Sequence, residues 1–283
     1  MTVRFGYQLG IDLNALNHLG INLYSNIPAV VSEVVANSWD ADATRVEIRI
    51  DARRKEVTIT DDGSGMDHDE CNAKYLTVGY EKRKSFVRTP KFKRHVMGRK
   101  GIGKLSLFSV ADVIEVHSVR AGEKCGFVLR AAAIRTAIKE RLPQYKPDNV
   151  DGRVRIKTGT RIRISALKKT IGKLDVALRR RLARRFGVID PDKNFTVIVN
   201  GRAIGPTDRD FFQKIEYAWG IGPGSSEFLD KCTKATKTKT LDGIINKKAG
   251  QRISGWVGTF GEQKNIEEGN NSIVVMAWGK LIH

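Results

Sequence analysis

The strongest constraint on this chain is an amphipathic helix predicted for residues 27–39, with Asn26 as a suitable N-cap. Its valines recur at helical spacing and mark one buried face. Glu33, Asn37 and Asp40 stand at i, i+4 and i+7, so they project together from the opposite face. A polar helix face is most often simply solvated. The motifs that follow this helix instead indicate that its polar face is the wall of a site.

Three further motifs supply the other parts of a nucleotide site. Residues 61–66 read Asp-Asp-Gly-Ser-Gly-Met and directly follow an alternating strand, residues 98–104 read Gly-Arg-Lys-Gly-Ile-Gly-Lys, and Gly159 precedes Thr160. A carboxylate at the floor of a pocket can accept a hydrogen bond from the amino group of a base, and such polar contacts make base recognition selective. A glycine-rich backbone can donate N–H groups to phosphates at the start of a helix. Together the motifs predict nucleotide binding.

The glycine-rich segment 98–104 has a second interpretation, a Walker A loop, which it matches until Leu105. At that position a Walker A loop needs Ser or Thr to hold magnesium. Residues 89–97, which precede the segment, are basic and do not read as the buried strand that a Walker A loop follows. The Walker A interpretation therefore fails on two counts.

In this order, the helix and the three motifs resemble the GHKL ATPases, which include DNA gyrase, the ninety-kilodalton heat-shock chaperones, sensor histidine kinases and MutL-type mismatch-repair proteins. The likeness is greatest to the MORC-like and related prokaryotic members, and its motifs span residues 33–160. The resemblance implies an α+β fold of the Bergerat type, a sandwich of helices on a mixed β-sheet. It also implies a site for ATP and Mg²⁺, in which residues 98–104 form a lid that closes over the phosphates.

The resemblance also implies a role for individual residues. Glu33 would be the catalytic general base, a role worth roughly 10²–10⁴-fold in rate, and Asn37 would ligate Mg²⁺. Asp61, rather than Asp62, would bind the adenine amino group, because only Asp61 has the Asp-x-Gly-x-Gly spacing. Asp40 is expected to brace this end of the helix or the Asp61 loop. The expected ATP-binding residues are Asn37, Asp61, Gly63, Gly65, Met66, Gly98, Gly101, Ile102, Gly103, Lys104 and Thr160.

Two domains are expected, an ATP-binding domain over residues 1–165 and part of a transducer-like domain of the ribosomal S5 type over residues 166–283. The second likeness is looser and includes Val-Asn-Gly-Arg at residues 199–202. A transducer domain normally contributes a lysine that reaches the γ-phosphate, and Lys280 cannot be matched to it from the sequence. That lysine is expected beyond His283, in a longer protein of which this chain is a piece, so hydrolysis by this fragment is expected to be weak.

Charge is the unusual feature of the composition, since 50 basic residues against 31 acidic ones give a formal net charge of +19. The basic residues concentrate in three stretches, residues 82–104, 153–185 and 231–252. Any one stretch could be a solvated face, but three with this bias predict binding to the phosphate backbone of nucleic acid.

Cysteine and histidine spacing predicts no zinc site. The 3 cysteines form no Cys-x-x-Cys pair, and the 5 histidines fall at no metal-ligand spacing. No run of about 18 apolar residues exists, and no signal-peptide core is present at the N-terminus. No membrane association and a cytoplasmic, nucleoid or nuclear location are therefore expected.

The expected function is an ATP-binding, slowly hydrolysing molecular switch, whose ATP-driven lid closure and N-terminal homodimerisation act on DNA. The alternative is a chaperone-type ATPase that acts on protein clients, with the basic surface incidental. A histidine kinase is disfavoured, because no phosphoacceptor histidine lies in a helical hairpin ahead of Glu33.

Overall fold

The computed structural model describes residues 26–77, 88–98, 106–142, 144–169, 171–189, 193–205, 208, 210–262, 276–277 and 280–281. The chain divides into two compact units. The first comprises Met1–Ile204 with Ala277–Lys280, and the second comprises Gly205–Met276 with Leu281–His283.

An eight-stranded mixed sheet forms the centre of the first unit, in the order β5-β4-β3-β6-β2-β1-β7-β8. The pair β1–β7 is parallel, and the other neighbouring pairs are antiparallel. The strands are β1 (Arg45–Asp51), β2 (Glu56–Asp61), β3 (Ala111–Arg120), β4 (Glu123–Arg130), β5 (Asp148–Asn149), β6 (Gly159–Leu167), β7 (Thr196–Val199) and β8 (Arg202–Ala203).

The helices of this unit are α1 (Ile27–Asp40), α2 (His68–Glu70), α3 (Leu107–Val110), α4 (Ala131–Lys139) and α5 (Leu174–Arg185). Helix α2 continues as a π-helical turn over Cys71–Tyr75. The predicted cap of α1 is confirmed, because the Asn26 side chain accepts a hydrogen bond from the backbone N–H of Ala29 at 2.9 Å. Apolar side chains of α1, the sheet and α5 form one buried cluster. This α+β arrangement confirms the predicted fold class.

The first unit extends beyond the expected boundary at residue 165, which falls inside β6. Strand β7 lies parallel to β1 in the large sheet, and helix α5 packs against α1. Asn200 and Gly201 connect β7 to β8 with φ angles of 47° and 81°, the left-handed conformations that a two-residue hairpin turn requires. The chain after residue 165 therefore continues the same core as far as Ile204.

The second unit is built around β9 (Ile215–Ile221), which pairs in parallel with β10 (Lys237–Leu241) and antiparallel with β13 (Gly255–Phe260). Its buried cluster contains Phe212, Ile215, Ala218 and Cys232. The remaining elements of the chain are α6 (Ser226–Leu229), β11 (Ile244–Asn246), β12 (Gln251–Arg252), β14 (Met276–Ala277) and β15 (Lys280–Leu281). Within the described part of the chain, no helix is long and apolar enough to cross a membrane.

Candidate nucleotide site

The site begins with a carboxylate that strand geometry places on the inner face of the sheet. Side chains alternate between the two faces of a strand. The register that buries Val57 and Ile59 in β2 therefore also buries Asp61 at the end of that strand, where it is 8% exposed. A carboxylate is rarely buried to this extent unless it is hydrogen-bonded. The partners of Asp61 therefore decide what it can do.

Asp61 is surrounded by hydrogen-bond donors. Its Oδ1 accepts from the backbone N–H groups of Gly63 at 3.0 Å and Thr160 at 3.2 Å, and its Oδ2 accepts from the Ser38 hydroxyl at 2.9 Å. Burial raises the pKa of Asp61 from 3.8 to about 6, and these hydrogen bonds oppose the rise. The carboxylate is thus ionised at neutral pH, and Oδ2 has a lone pair left for a further donor.

Asp62, the neighbouring carboxylate, has a different role. It is exposed, and it accepts hydrogen bonds from the backbone N–H groups of Thr44 and Arg45, both at 2.8 Å. The Thr44 hydroxyl donates to it as well, at 2.5 Å. Asp62 therefore fixes the start of β1, and Asp61 is the carboxylate that stays inside the pocket.

The glycines of the motifs are required by backbone crowding. Gly65 has a φ of +65°, and a Cβ at this position would lie 2.0 Å from the carbonyl oxygen of Val119. Gly159 has a φ of +78°, and its Cβ would lie 2.1 Å from the carbonyl oxygen of Asp61. Both positions combine left-handed backbone with a contact that no side chain can make. They bring the ends of β2, β3 and β6 together around the pocket.

Ser118, which the sequence gives no reason to select, connects the predicted residues to one another. Its hydroxyl accepts from the backbone N–H of Met66 at 2.8 Å and lies 3.1 Å from the Thr160 hydroxyl. It also donates to the carbonyl of Gly159 at 3.3 Å. Ser118 and Ser38 are both buried polar residues. Their position beside Asp61 is a consequence of strand and helix packing, and neither carries a local sequence signal.

The polar face of α1 extends from this pocket toward two cations. Glu33 and Asn37 are both half-buried. The Glu33 carboxylate accepts from Arg185 at 2.6 Å and lies 3.7 Å from the Lys280 Nζ. Burial lowers the pKa of Lys280, while Glu33 opposes that effect. A lysine was expected only beyond His283, but the fold places Lys280 beside the candidate base.

Asp40 holds the beginning of the glycine-rich segment. Its two carboxylate oxygens accept from the backbone N–H groups of Met97 at 2.7 Å and Gly98 at 3.0 Å. Asp40 is therefore a brace, as expected, although the backbone it holds belongs to this segment and not to the Asp61 loop. The other residues predicted for the lid lie outside the described residues: Gly101, Ile102, Gly103 and Lys104.

Residues 88–98, the described part of the basic stretch 82–104, pack against the C-terminal end of α1. Asp42 accepts from the Thr89 hydroxyl at 2.5 Å and from the Lys91 backbone at 2.8 Å. The buried guanidinium of Arg94 donates to the carbonyl of Ala43 at 2.6 Å. This part of the basic stretch therefore supports the site, and its Arg94 side chain makes hydrogen bonds within the fold.

Helix α1 sets the distance between the two ends of the site. Ser38 contacts Asp61 and Glu33 contacts Arg185. At a rise of about 1.5 Å per residue, these two helix positions are about 7–8 Å apart along the axis. Asp61 provides an acceptor for a base at one end of the site, and cations flank the Glu33 carboxylate at the other end. This arrangement suits a nucleotide whose phosphates point toward Glu33. The fold and the site thus define an α+β nucleotide-binding domain.

Comparison with known proteins agrees with this class. Residues 24–160 match the family model described as "Histidine kinase-, DNA gyrase B-, and HSP90-like ATPase". The chain is 38% identical over 278 residues to "Putative type II restriction enzyme HgiDII" of Herpetosiphon aurantiacus, which covers 98% of this chain and 45% of that protein. It is 30% identical over 140 residues to the chaperone protein HtpG of Gluconobacter oxydans (strain 621H), covering 42% of this chain and 22% of HtpG.

Residues 24–160 are therefore a domain of the GHKL ATPase type. The chain spans less than half the length of the curated relatives that it matches.

Proposed function

We propose that this chain is an ATP-dependent molecular switch that hydrolyses ATP slowly and acts on DNA. The observation that carries the proposal is the buried Asp61 carboxylate, joined by α1 to a second carboxylate, Glu33, that two cations flank. Closure of the glycine-rich segment over bound ATP would then favour association of two copies of the chain.

Recognition of adenine follows from the hydrogen-bond pattern around Asp61. The adenine amino group is a donor and can bond the Oδ2 of Asp61, which otherwise accepts only from Ser38 among the described contacts. Guanine carries a carbonyl oxygen at the corresponding position, so it would place an acceptor against an ionised carboxylate. Because a buried group left unpaired costs free energy, the pocket would select ATP over GTP.

Asn37 is the candidate ligand for Mg²⁺. It lies one helical turn from Glu33 on the same half-buried face of α1. Its side-chain oxygen is a type of ligand that Mg²⁺ binds. Mg²⁺ keeps several waters and binds mainly through substrate phosphates, so one protein ligand suffices. When bound, the ion would neutralise phosphate charge.

Hydrolysis is assigned to Glu33 with support from its two cations. Glu33 would accept a proton from the attacking water, and Lys280 would stabilise negative charge on the transferred phosphoryl group. Arg185 already bonds Glu33 at 2.6 Å in a mostly buried pair. Arg185 bonds the Oε1 of Glu33, so Oε2 is the oxygen that would accept the proton from water.

Action on DNA is supported by the charge of the chain and by one relative. The formal net charge is +19, and the relative that shares 38% identity is named as a restriction enzyme. The similarity to HtpG favours the second candidate function, a chaperone-type ATPase with protein clients. Salt dependence separates the two, because release of counterions from DNA makes binding strongly salt-dependent.

The hydrolysis proposal is tested by measuring ATP affinity and phosphate release on the same set of variants. Glu33→Ala is expected to bind Mg-ATP about as well as the parent and to lose nearly all turnover. Lys280→Ala should lower turnover while changing affinity less. Lys237→Ala, on an exposed strand of the second unit, is the matched lysine control. Equal turnover in the parent and in Glu33→Ala, both above background, would show that another group activates the water.

The DNA proposal is tested by fluorescence anisotropy with duplex DNA over a series of salt concentrations. If about five phosphates are contacted, the slope of log K against log salt should lie near −4 to −5. Arg180 is exposed, whereas Arg181 and Arg184 are half-buried on α5, so Arg180→Glu is the cleaner charge reversal and should flatten the slope. Absence of binding at about 50 mM salt would contradict the proposed action on DNA and favour a chaperone-type ATPase with protein clients.

A further inference from the structure

A second group of reactive side chains lies outside the nucleotide site, between α2 and β4. His68 begins α2 and Cys71 follows one turn later, while Glu123 and Cys125 stand on β4. The His68 Nδ1 is 2.9 Å from the Glu123 Oε1 and 3.2 Å from the Cys125 Sγ. The ligand atoms of these three residues all lie within 4.8 Å of one another. The Cys71 thiol hydrogen-bonds to Cys125.

We propose that His68, Glu123 and Cys125 form a zinc site. A thiolate and an imidazole are soft to borderline ligands that favour Zn²⁺ over Mg²⁺ or Ca²⁺. Glu123 and Cys125 are two residues apart on one face of a strand, and their side chains meet His68 at the start of α2. Cys71, whose thiol hydrogen-bonds to Cys125, would have to move toward the ion to become a fourth ligand.

Two of the distances within this set can be compared with those of a tetrahedral zinc site. With bond lengths of about 2.0–2.1 Å to nitrogen or oxygen and about 2.3 Å to sulfur, tetrahedral ligands lie about 3.4 Å apart for N and O and about 3.6 Å apart for N and S. The corresponding distances from His68 are 2.9 Å and 3.2 Å. The Glu123 and Cys125 side chains would therefore move outward from His68 by a few tenths of an ångström to admit the ion.

The histidine is oriented as metal-binding histidines are. The His68 Nε2 lies 3.1 Å from the Asp151 Oδ2. In the zinc-bound state a proton on Nε2 would be donated to Asp151, and the lone pair of Nδ1 would point at the ion. Asp151 is itself fixed by hydrogen bonds from the Gly126 backbone at 2.6 Å and the Asn149 amide at 2.9 Å. A carboxylate that orients the far nitrogen of a metal-binding imidazole is a recurring feature of zinc sites.

Three protein ligands leave the fourth position of a tetrahedral ion to water or to the Cys71 thiol. Cys71 and Cys125 are fully buried, and His68 follows Met66, the last residue of the 61–66 loop, by two residues. Zinc would therefore fasten the segment after this loop to β4. Spacing along the chain predicts no zinc site, because the ligands come from two segments that lack any Cys-x-x-Cys pair and meet only in the folded sheet.

The test measures metal binding by the intact chain and does not involve ATP. Protein expressed with added Zn²⁺ and passed through a desalting column is expected to retain one zinc per chain by elemental mass spectrometry. Cys125→Ser should lose most of this zinc, and Cys71→Ser should lose less. Cys232→Ser is the matched control, since Cys232 is also a buried free cysteine but lies in the second unit.

Cobalt supplies a readout that can be taken on the parent protein itself. Co²⁺ added to metal-free parent protein should give the intense absorption of thiolate coordination, unchanged in Cys232→Ser and reduced in His68→Gln. Absence of retained zinc together with absence of this absorption would overturn the proposal. A disulfide between Cys71 and Cys125 in freshly purified parent protein, found by peptide mass spectrometry, would also overturn it in favour of a redox pair.

Discussion

Replacing Asp61 with asparagine changes a single atom of the pocket, and the structure fixes which one. The Oδ1 of Asp61 accepts from two backbone N–H groups, those of Gly63 and Thr160. In Asp61→Asn the side-chain oxygen must stay at this position, because an NH₂ group there would face two donors. The nitrogen then replaces Oδ2, the atom that faces Ser38 and, in the proposed complex, the adenine amino group.

The fold should tolerate this change. Ser38 can accept from the new amide and donate its own proton to the carbonyl of Val34, which lies 3.2 Å away. The pKa of Asp61 is raised from 3.8 to about 6, so keeping this group ionised at neutral pH costs roughly 3 kcal/mol of stability. A raised pKa means that stability falls as pH rises from 3.8 toward about 6. Asp61→Asn should lack this fall and be at least as stable as the parent at pH 7.

Nucleotide affinity should nevertheless collapse. The complex loses a hydrogen bond to a charged acceptor, worth about 1.5–3 kcal/mol, and gains two facing donors whose burial without partners costs about 1–3 kcal/mol each. A tenfold change corresponds to about 1.4 kcal/mol, so affinity should fall at least about 100-fold.

Isothermal titration with a non-hydrolysable ATP analogue measures this loss, and thermal unfolding across pH 4 to 8 checks the fold. Affinity within about threefold of the parent would refute the assignment of Asp61 as the adenine acceptor. Loss of folded structure in Asp61→Asn would refute the hydrogen-bond exchange with Ser38.

Three further outcomes are expected from the same pocket. Ser118→Ala removes the acceptor of the Met66 backbone N–H, worth about 1–2 kcal/mol, so titration calorimetry should show ATP affinity about 5–30-fold lower with the fold intact. Gly159→Ala forces a Cβ to within 2.1 Å of a carbonyl oxygen at positive φ, so chemical denaturation should show a loss of at least about 2 kcal/mol; Gly152→Ala, where nothing lies within 4 Å, should show almost none. Adenosine, which has no phosphates to titrate, should bind up to tenfold more weakly per pH unit below about 6, because a protonated Asp61 places a donor against a donor; a flat pH profile would contradict that reading.

The sequence by itself determined those features that depend on neighbouring residues. Periodicity located α1, and its cap at Asn26 and start at Ile27 are observed. Alternation located β2, the strand that ends at Asp61. The spacing of glycines after Asp61 separated it from Asp62, because that spacing reflects how closely the backbone must approach other strands.

Only the tertiary structure decided which residues complete the sites. Arg185 reaches Glu33 across 152 residues of chain. Ser118 accepts from the backbone of Met66 and lies opposite Thr160, because β3 pairs with β6. His68 meets Cys125 through the packing of α2 against β4. The extent of the first unit was likewise decided by the parallel pairing of β7 with β1. Contacts of this kind depend on sheet order and helix packing, which bring distant segments together and leave no periodic trace in the sequence.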